Sequence, residues 1–261
     1  LWKTPTRLGF SSISVANSRV FTIVMENIDG VEREACLALD HNTGKKLWSK
    51  ILNIAKYDGG GNSGAKNNKG GDGPRTTPSS DGKLVFILDG RLTLHCLDAK
   101  NGNILWNKAI IDIAKTPRMH RKNSQASPTP IVENERLYVH FGHMGTACLD
   151  LNGKLIWKNE MIKYSPVHGN GGTPVLTEGK LIYSCDGAKD PFVIALNIKD
   201  GSQAWKITRS VDAKKKFSFC TPLILPSPTG AQILLPGSDM IGAYNPTNGK
   251  EIWRATYDGY S

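Results

Sequence analysis

The chain has 261 residues, 39% hydrophobic and 21% charged, which suffices for a sizeable core and is ordinary for a globular protein. No apolar run approaches the length of a membrane span, and five cysteines without a Cys-x-x-Cys pair argue against a closed disulfide framework and against a zinc or thioredoxin-type site. The formal net charge of +10 favours anionic partners (nucleic acid, anionic lipid, acidic glycan or acidic protein), with plain solubility as the competing explanation.

In chain order the sequence alternates two kinds of hairpin. The first kind is "SSISVANSRVFTIVM" (11–25), "TTPSSDGKLVFILDG" (76–90), "SPTPIVENERLYVHFG" (127–142), "GGTPVLTEGKLIYSCDG" (171–187) and "CTPLILPSPTGAQILLPG" (220–237). Short β-branched runs flank turns expected at Asn17-Ser18, Asp81-Gly82, Asn134-Glu135, Glu178-Gly179 and Thr229-Gly230. Thr-Pro recurs at Thr77, Thr129, Thr173 and Thr221, and a proline near a strand start is compatible with a strand because its missing donor can face open space.

The second kind is a repeat: "CLALDHNTGKKLW", "HCLDAKNGNILW", "TACLDLNGKLIW", "VIALNIKDGSQAW" and "IGAYNPTNGKEIW", ending at Trp48, Trp106, Trp157, Trp205 and Trp253. The successive spacings are 58, 51, 48 and 48, and Trp2 lies 46 before Trp48, the tail of a sixth copy. Gly44, Gly102, Gly153, Gly201 and Gly249 each stand four before their tryptophan; Asp40, Asp98, Asn197 and Asn245 stand eight before it, and Asp150 seven. The Asp or Asn folds over following backbone N–H groups and the glycine supplies a positive φ, so each copy is a β-hairpin. Leu47, Leu105, Ile156, Ala204 and Ile252 directly precede the tryptophans; because neighbouring strand residues point to opposite faces, both faces of this strand are expected to be covered. Cys96 and Cys148 occupy the place of Ala38, Ala195 and Ala243 and read as small buried residues. Two hairpins make four antiparallel strands in about 48 residues, the unit of a propeller blade.

The pattern Ala-x-Asp-x-x-x-Gly-x-x-x-Trp, as in Ala38, Asp40, Gly44 and Trp48, resembles the tryptophan-docking repeat of the pyrroloquinoline-quinone (PQQ)-like β-propellers. That family includes quinoprotein alcohol dehydrogenases, BamB-type outer-membrane assembly lipoproteins and many bacterial secreted propellers of unknown role. "GDGPRTTP" (71–78) and "LWKTP" (1–5) look most like the last group. The resemblance implies an all-β, single β-propeller domain over 1–261, with the five tryptophans and five glycines as structural docking residues. Rings of that family commonly have seven or eight blades, so the five full repeats read as part of such a ring, incomplete here, with closure as a small ring as the alternative. By resemblance the location is periplasmic or secreted; the chain shows no signal peptide and starts without Met, so it reads as a trimmed or mature segment.

In such a ring the segments joining one blade to the next gather around the channel mouth. Here those are 57–75, 115–125, 163–170 and 209–218, carrying Lys66, Lys69, Arg75, Arg118, His120, Arg121, Lys122, Lys163, His168, Lys214, Lys215 and Lys216. The expected ligand-binding residues are Arg75, Arg121, Lys122, Gln125, His168, Asn170 and Ser218, facing an anionic ligand, against the bland reading of solvated loops. Other motifs are weaker. Gly59, Gly61 and Gly64 spell Gly-x-Gly-x-x-Gly but run on into polar loop, not into a helix. Asp58 and Asp72 lack EF-hand spacing, and His140 and His143 have no evident third metal ligand. No Gly-x-Ser-x-Gly or His-Glu-x-x-His occurs. Nucleic-acid binding is disfavoured because these basic loops hold only Tyr57, Tyr164 and Phe217 as aromatics.

Two functions compete. The first is a non-catalytic extracytoplasmic module binding a protein or an anionic glycan or ligand, with no cofactor and no metal. The alternative is a PQQ-dependent quinoprotein dehydrogenase oxidising alcohol or sugar. In those enzymes the cofactor carries the redox chemistry beside a calcium ion and under a ring made by adjacent cysteines. No two of Cys36, Cys96, Cys148, Cys185 and Cys220 are adjacent, and the mouth segments offer cations but no cluster of carboxylates.

Overall fold

A computed structural model describes the chain except for residues 56–72, 113–116, 118–119, 121–122, 188, 210–212, 214–215, 229 and 260–261. The described residues form twenty strands in five four-stranded sheets, with one short 3-10 turn at Gly142–Met144. The first sheet is β1 (Ser14–Ala16), β2 (Arg19–Ile28), β3 (Val31–Asp40) and β4 (Lys46–Ile54). The second is β5 (Ser79–Ser80), β6 (Leu84–Leu88), β7 (Thr93–Asp98) and β8 (Ile104–Ala109). The third is β9 (Ile131–Glu133), β10 (Arg136–His140), β11 (Thr146–Asp150) and β12 (Leu155–Asn159). The fourth is β13 (Val175–Thr177), β14 (Lys180–Cys185), β15 (Phe192–Asn197) and β16 (Gln203–Thr208); the fifth is β17 (Leu223–Leu225), β18 (Gln232–Gly237), β19 (Met240–Tyr244) and β20 (Glu251–Thr256). In every sheet the strands lie in sequence order, as short hairpins require. The chain divides into two compact units, Leu1–Val139 with Leu149–Leu155, and His140–Cys148 with Ile156–Ser261.

The middle strands of the sheets are apolar on both faces and buried on both, as in Val85–Leu88 and Phe192–Leu196, the pattern of a sheet covered on two sides. In the first unit Phe21, Ile23, Ala38, Val85, Ile87 and Leu97 pack together between the first and second sheets, with Trp48 against them. In the second unit Ile182, Val193, Ala195, Trp205, Ile233 and Tyr244 do the same between the fourth and fifth.

Four of the five repeat tryptophans span to the following repeat. Trp48 Nε1 donates to the Ala99 carbonyl (3.1 Å), Trp106 to Leu151 (2.9 Å), Trp157 to Ile198 (2.9 Å) and Trp205 to Pro246 (3.0 Å). The acceptor is in each case the residue after the turn-forming Asp or Asn. Asp98 Oδ1 accepts from the N–H groups of Lys100 and Asn101, and the Gly102 N–H closes the turn on the Asp98 carbonyl, so the Ala99 carbonyl is left pointing outward to the indole. Gly102 has φ +75°, and a Cβ there would lie 2.7 Å from the Trp48 ring. The glycine thus serves the turn and also vacates the seat of the incoming indole. Cys96 pairs directly with Trp106, as Ala38, Ala195 and Ala243 pair with Trp48, Trp205 and Trp253: a small side chain opposite the large one. Trp2 follows the same rule on the first sheet, donating to the His41 carbonyl at 2.8 Å with Gly44 beneath its ring. The indole of Trp253 instead donates to Gln232 Oε1 of its own sheet (3.1 Å) and is 41% exposed.

The Thr-Pro steps have a role of their own. The Thr77 hydroxyl accepts from the Ser12 N–H and the Thr221 hydroxyl from the Thr173 N–H, so the threonine stitches successive first strands where proline has removed a donor. Positive φ values at Asn17, Ser18, Asn134, Glu135, Glu178 and Gly179 place the turns where the sequence puts them. One expectation fails: Leu47, Leu105, Ile156 and Ile252 are 37% to 54% exposed. Only the tryptophan face of the outermost strand meets a neighbouring hairpin, and sheet twist carries the opposite face past the adjacent sheet.

Replacing Trp205 with Ala is expected to cost about 3–5 kcal/mol, because a buried indole and its hydrogen bond are lost together. Trp253→Ala is expected to cost under about 1 kcal/mol. Urea unfolding of both variants checks this; equal losses would refute the assignment of the stabilisation to the inter-repeat seat.

Candidate functional site

Within the second unit, the ends of β14, β16 and β18 converge. Asp186 directly follows β14 and Arg209 directly follows β16, so two charged groups end two largely apolar strands. Arg209 Nη1 donates to Asp186 Oδ2 at 2.7 Å, with both side chains almost fully buried. Its Nη2 donates to the Leu235 carbonyl at 3.2 Å and its backbone N–H to the Pro191 carbonyl at 2.7 Å. Gly237 makes room for the guanidinium: a Cβ there would stand 2.0 Å from Nη2. Burial pushes the Asp186 acid up, against the Arg209 charge and a Ser184 hydrogen bond that pull it down. Beside this pair lies a small, open cleft whose walls include Lys216, Phe217, Ser238 and Met240.

The sequence-expected residues fall in different places. Ser218 adjoins the cleft wall; its hydroxyl donates to the Pro236 carbonyl and accepts from the Cys220 N–H. His168 meets Phe217 edge-on at 4.8 Å and stacks over Phe219 at 6.5 Å, so His168 and Ser218 are brought together through Phe217. Asn170 is buried and turned inward. Its Oδ1 accepts from His143 Nδ1 (3.2 Å) and the Tyr164 hydroxyl (3.3 Å), and its Nδ2 donates to the Phe141 carbonyl (3.1 Å). Arg75 and Gln125 belong to the first unit. Arg75 lies 5.0 Å over the Phe10 ring and donates to the Gly73 carbonyl. Gln125 is buried, its Nε2 donating to the Pro117 carbonyl at 2.8 Å while its Oε1 has no hydrogen-bond partner. Arg121 and Lys122 lie outside the described residues, as do Tyr57, Lys66, Lys69, Arg118, Lys214, Lys215, Asp58, Asp72 and the Gly59, Gly61, Gly64 run.

Sequence reasoning missed Asp186 and Arg209, and in the first unit Asp89, His95 and Glu34. Asp89 Oδ2 meets His95 Nε2 at 2.8 Å while its Oδ1 accepts from the N–H groups of Arg91 and Thr93. Glu34 Oε2 accepts from the Gly90 N–H at 3.0 Å. The available signal was Asp-Gly directly after an apolar strand, at 89–90 and again at 186–187. Four of the five thiols are held inert by burial: Cys36, Cys96, Cys148 and Cys185 are buried free thiols, and burial raises Cys36 and Cys185 and pushes Cys96 up to about 12. Among the described residues no three His, Cys, Asp or Glu side chains are grouped to hold a metal.

His140 and His143 are held by protein groups. His140 Nδ1 contacts the Thr146 hydroxyl at 2.9 Å and its ring packs 4.3 Å from Tyr183. Burial above all, with the neighbouring His143 charge, lowers His140 to about 3. A base whose folded pKa is depressed contributes stability that is complete above its unfolded value of about 6.5 and is lost as pH falls towards the folded one, at up to about 1.4 kcal/mol per pH unit. Urea midpoints are therefore expected to fall from pH 6.5 to pH 4.5, with a shallower fall in His140→Gln; parallel profiles would refute this. Arg209→Met is expected to cost about 3–5 kcal/mol by stranding Asp186, with most of it recovered in Arg209→Met/Asp186→Leu. No recovery in the double variant would place the loss in packing instead.

A family model described as the outer membrane protein assembly factor BamB matches residues 32–160 and 118–259. No curated protein matches the sequence. Among solved structures, BamB from Moraxella catarrhalis is 16% identical with a TM-score of 0.61, over 99% of this chain and 67% of that one. The quinohemoprotein alcohol dehydrogenase of Comamonas testosteroni is 13% identical with a TM-score of 0.69, over 97% of this chain and 44% of that one. A europium-containing methanol dehydrogenase is 11% identical with a TM-score of 0.64, over 98% and 53%. At these identities the likeness shows the fold, and the chain spans from under half to about two thirds of these proteins' lengths. With its five four-stranded antiparallel sheets, the chain belongs to the PQQ-like β-propeller family of the outer membrane protein assembly factor BamB.

Proposed function

We propose that the chain is a non-catalytic binding or scaffold module that uses a basic loop face to engage a protein or an anionic ligand. The cleft of the second unit carries this reading. Its one carboxylate, Asp186, is already neutralised by Arg209, so Lys216 leaves the recess with a net positive charge beside an aromatic wall. The cysteines support a role without PQQ: they are non-adjacent, and the four buried thiols face the core, so the residues present do not fit the ring of adjacent cysteines that the quinoprotein enzymes use. The family's description as an outer membrane assembly factor is the ground for proposing an extracytoplasmic location. The described residues contain no helix long and apolar enough to cross a membrane. The tryptophan contacts are read as the docking device of a single propeller domain belonging to a seven- or eight-bladed ring, as the greater length of the matched structures suggests.

Titration with PQQ and calcium is expected to leave the cofactor spectrum unchanged and to give no dye-linked alcohol oxidation; a spectral shift with turnover would establish the dehydrogenase instead. Reversing Lys163, Lys216, Arg121 and Lys122 to Glu is expected to abolish retention on an anionic matrix such as heparin at low salt. Unchanged retention would remove the basic-face reading.

A further inference from the structure

Asn-Gly occurs four times, at 101–102, 152–153, 170–171 and 248–249, and the fold treats the four differently. Asparagine is a chemically labile residue, most of all before glycine, where no side chain hinders attack by the following backbone nitrogen on the carboxamide carbon. Asn170 is shut away: it is buried, its Oδ1 accepts from His143 Nδ1 and its Nδ2 donates to the Phe141 carbonyl. The other three are exposed at the turn tips of the second, third and fifth repeats, each followed by a buried glycine. The N–H groups of Gly102, Gly153 and Gly249 donate to the Asp98, Asp150 and Asn245 carbonyls at 2.8, 3.0 and 2.8 Å, so freeing the nitrogen is about equally hard in all three.

The side chains differ. Asn101 Oδ1 accepts from the Asn103 N–H and Asn248 Oδ1 from the Lys250 N–H, both at 2.9 Å, which pins each carboxamide to the backbone two residues ahead. The third repeat is one residue shorter between its Asp and its Trp. There Asp150 Oδ1 accepts from both the Asn152 and the Lys154 N–H groups at 2.9 Å. The N–H that pins the carboxamide in the other two repeats is therefore taken, and among the described residues no hydrogen bond holds the Asn152 side chain.

We propose that Asn152 is a site of spontaneous modification built into the third repeat, converting to aspartate and isoaspartate ahead of the other three Asn-Gly steps. The Gly153 nitrogen attacks the Asn152 carboxamide carbon; a C–N bond forms, and the side-chain nitrogen leaves as ammonia with the proton that Gly153 gives up. Water then opens the resulting succinimide at either carbonyl, yielding aspartate or, with the chain rerouted through the side-chain carbon, isoaspartate. No oxidant and no enzyme enters the balance. The place matters because this turn seats Trp106. The Leu151 carbonyl accepts from its Nε1 at 2.9 Å, Lys108 Nζ donates to the Gly153 carbonyl at 2.7 Å, and a Cβ on Gly153 would lie 3.1 Å from the ring. Isoaspartate inserts a methylene into the backbone between that acceptor and that glycine floor, and so loosens the grip on the indole.

The test keeps the full chain folded in mildly alkaline buffer at physiological temperature and follows each Asn-Gly peptide by mass spectrometry, with isoaspartate read by enzymatic isoaspartyl methylation. A urea-unfolded sample runs alongside. Unfolded, the four steps are expected to convert at similar rates. Folded, Asn152 is expected to convert first, Asn101 and Asn248 about fivefold more slowly because a hydrogen bond must break, and Asn170 not at all. Conversion of Asn101 or Asn248 as fast as Asn152 overturns the proposal, as does an Asn152 that stays intact in the folded chain while the unfolded chain reacts. Aged chain is expected to unfold at lower urea than fresh chain, with Asn152→Gln keeping its midpoint on ageing and fresh Asn152→Asp, which adds the charge without the methylene, falling between. An unchanged midpoint in chain converted to isoaspartate, or a fresh Asn152→Asp midpoint as low as that of aged chain, overturns the link to the Trp106 seat.

Discussion

Everything in this fold depends on an indole set into a glycine-floored turn of the next repeat. The hydrogen bond from Trp48 to Ala99, and its counterparts to Leu151, Ile198 and Pro246, is modest on its own. Its weight comes from what must be true around it. The Asp or Asn turns the chain so that the next carbonyl faces outward, the glycine removes the Cβ that would collide, and a small residue pairs opposite the indole within its own sheet. Four positions in a repeat are therefore bound to one contact, which is why they recur while their neighbours drift.

The same constraint separates structure from function. Residues that serve the seat are spent on it, and the middle strands are spent on packing between sheets. What remains is the set of segments between repeats, whose lengths and compositions differ from copy to copy. In the second unit these segments bring a buried Asp186–Arg209 pair, Lys216 and Phe217 to one place. Burying that ion pair is of doubtful value to stability by itself, since desolvation offsets most of the attraction. Its evident effect is to hold Arg209, directly after β16, against β18, with Gly237 as the socket.

Legibility followed physical origin. The strand positions, the turns with positive φ and the replacement of alanine by Cys96 could all be read from the chain, because each is set by local geometry at a fixed offset from a tryptophan. The exposed aliphatic residues before the tryptophans could not. Alternation says that Leu47 and Trp48 face opposite ways, but whether anything stands on the far side depends on sheet twist. Asn170 and Gln125 were placed at a mouth by their loops, and the structure turns both inward; polar side chains in loops take whichever backbone partners the tertiary fold supplies.

By itself the sequence determined the repeat, the four-stranded unit, the inert character of the buried thiols and the surplus of positive charge, since these follow from spacing, side-chain size and composition. Only the tertiary structure decided which charges survive as free charges. Asp186 and Arg209 are separated by 23 positions and cancel each other, while Lys216 stands beside them at a cleft. No local rule links those positions, because the contact is made by strands returning from different hairpins, and it is that long-range pairing that gives the recess its sign.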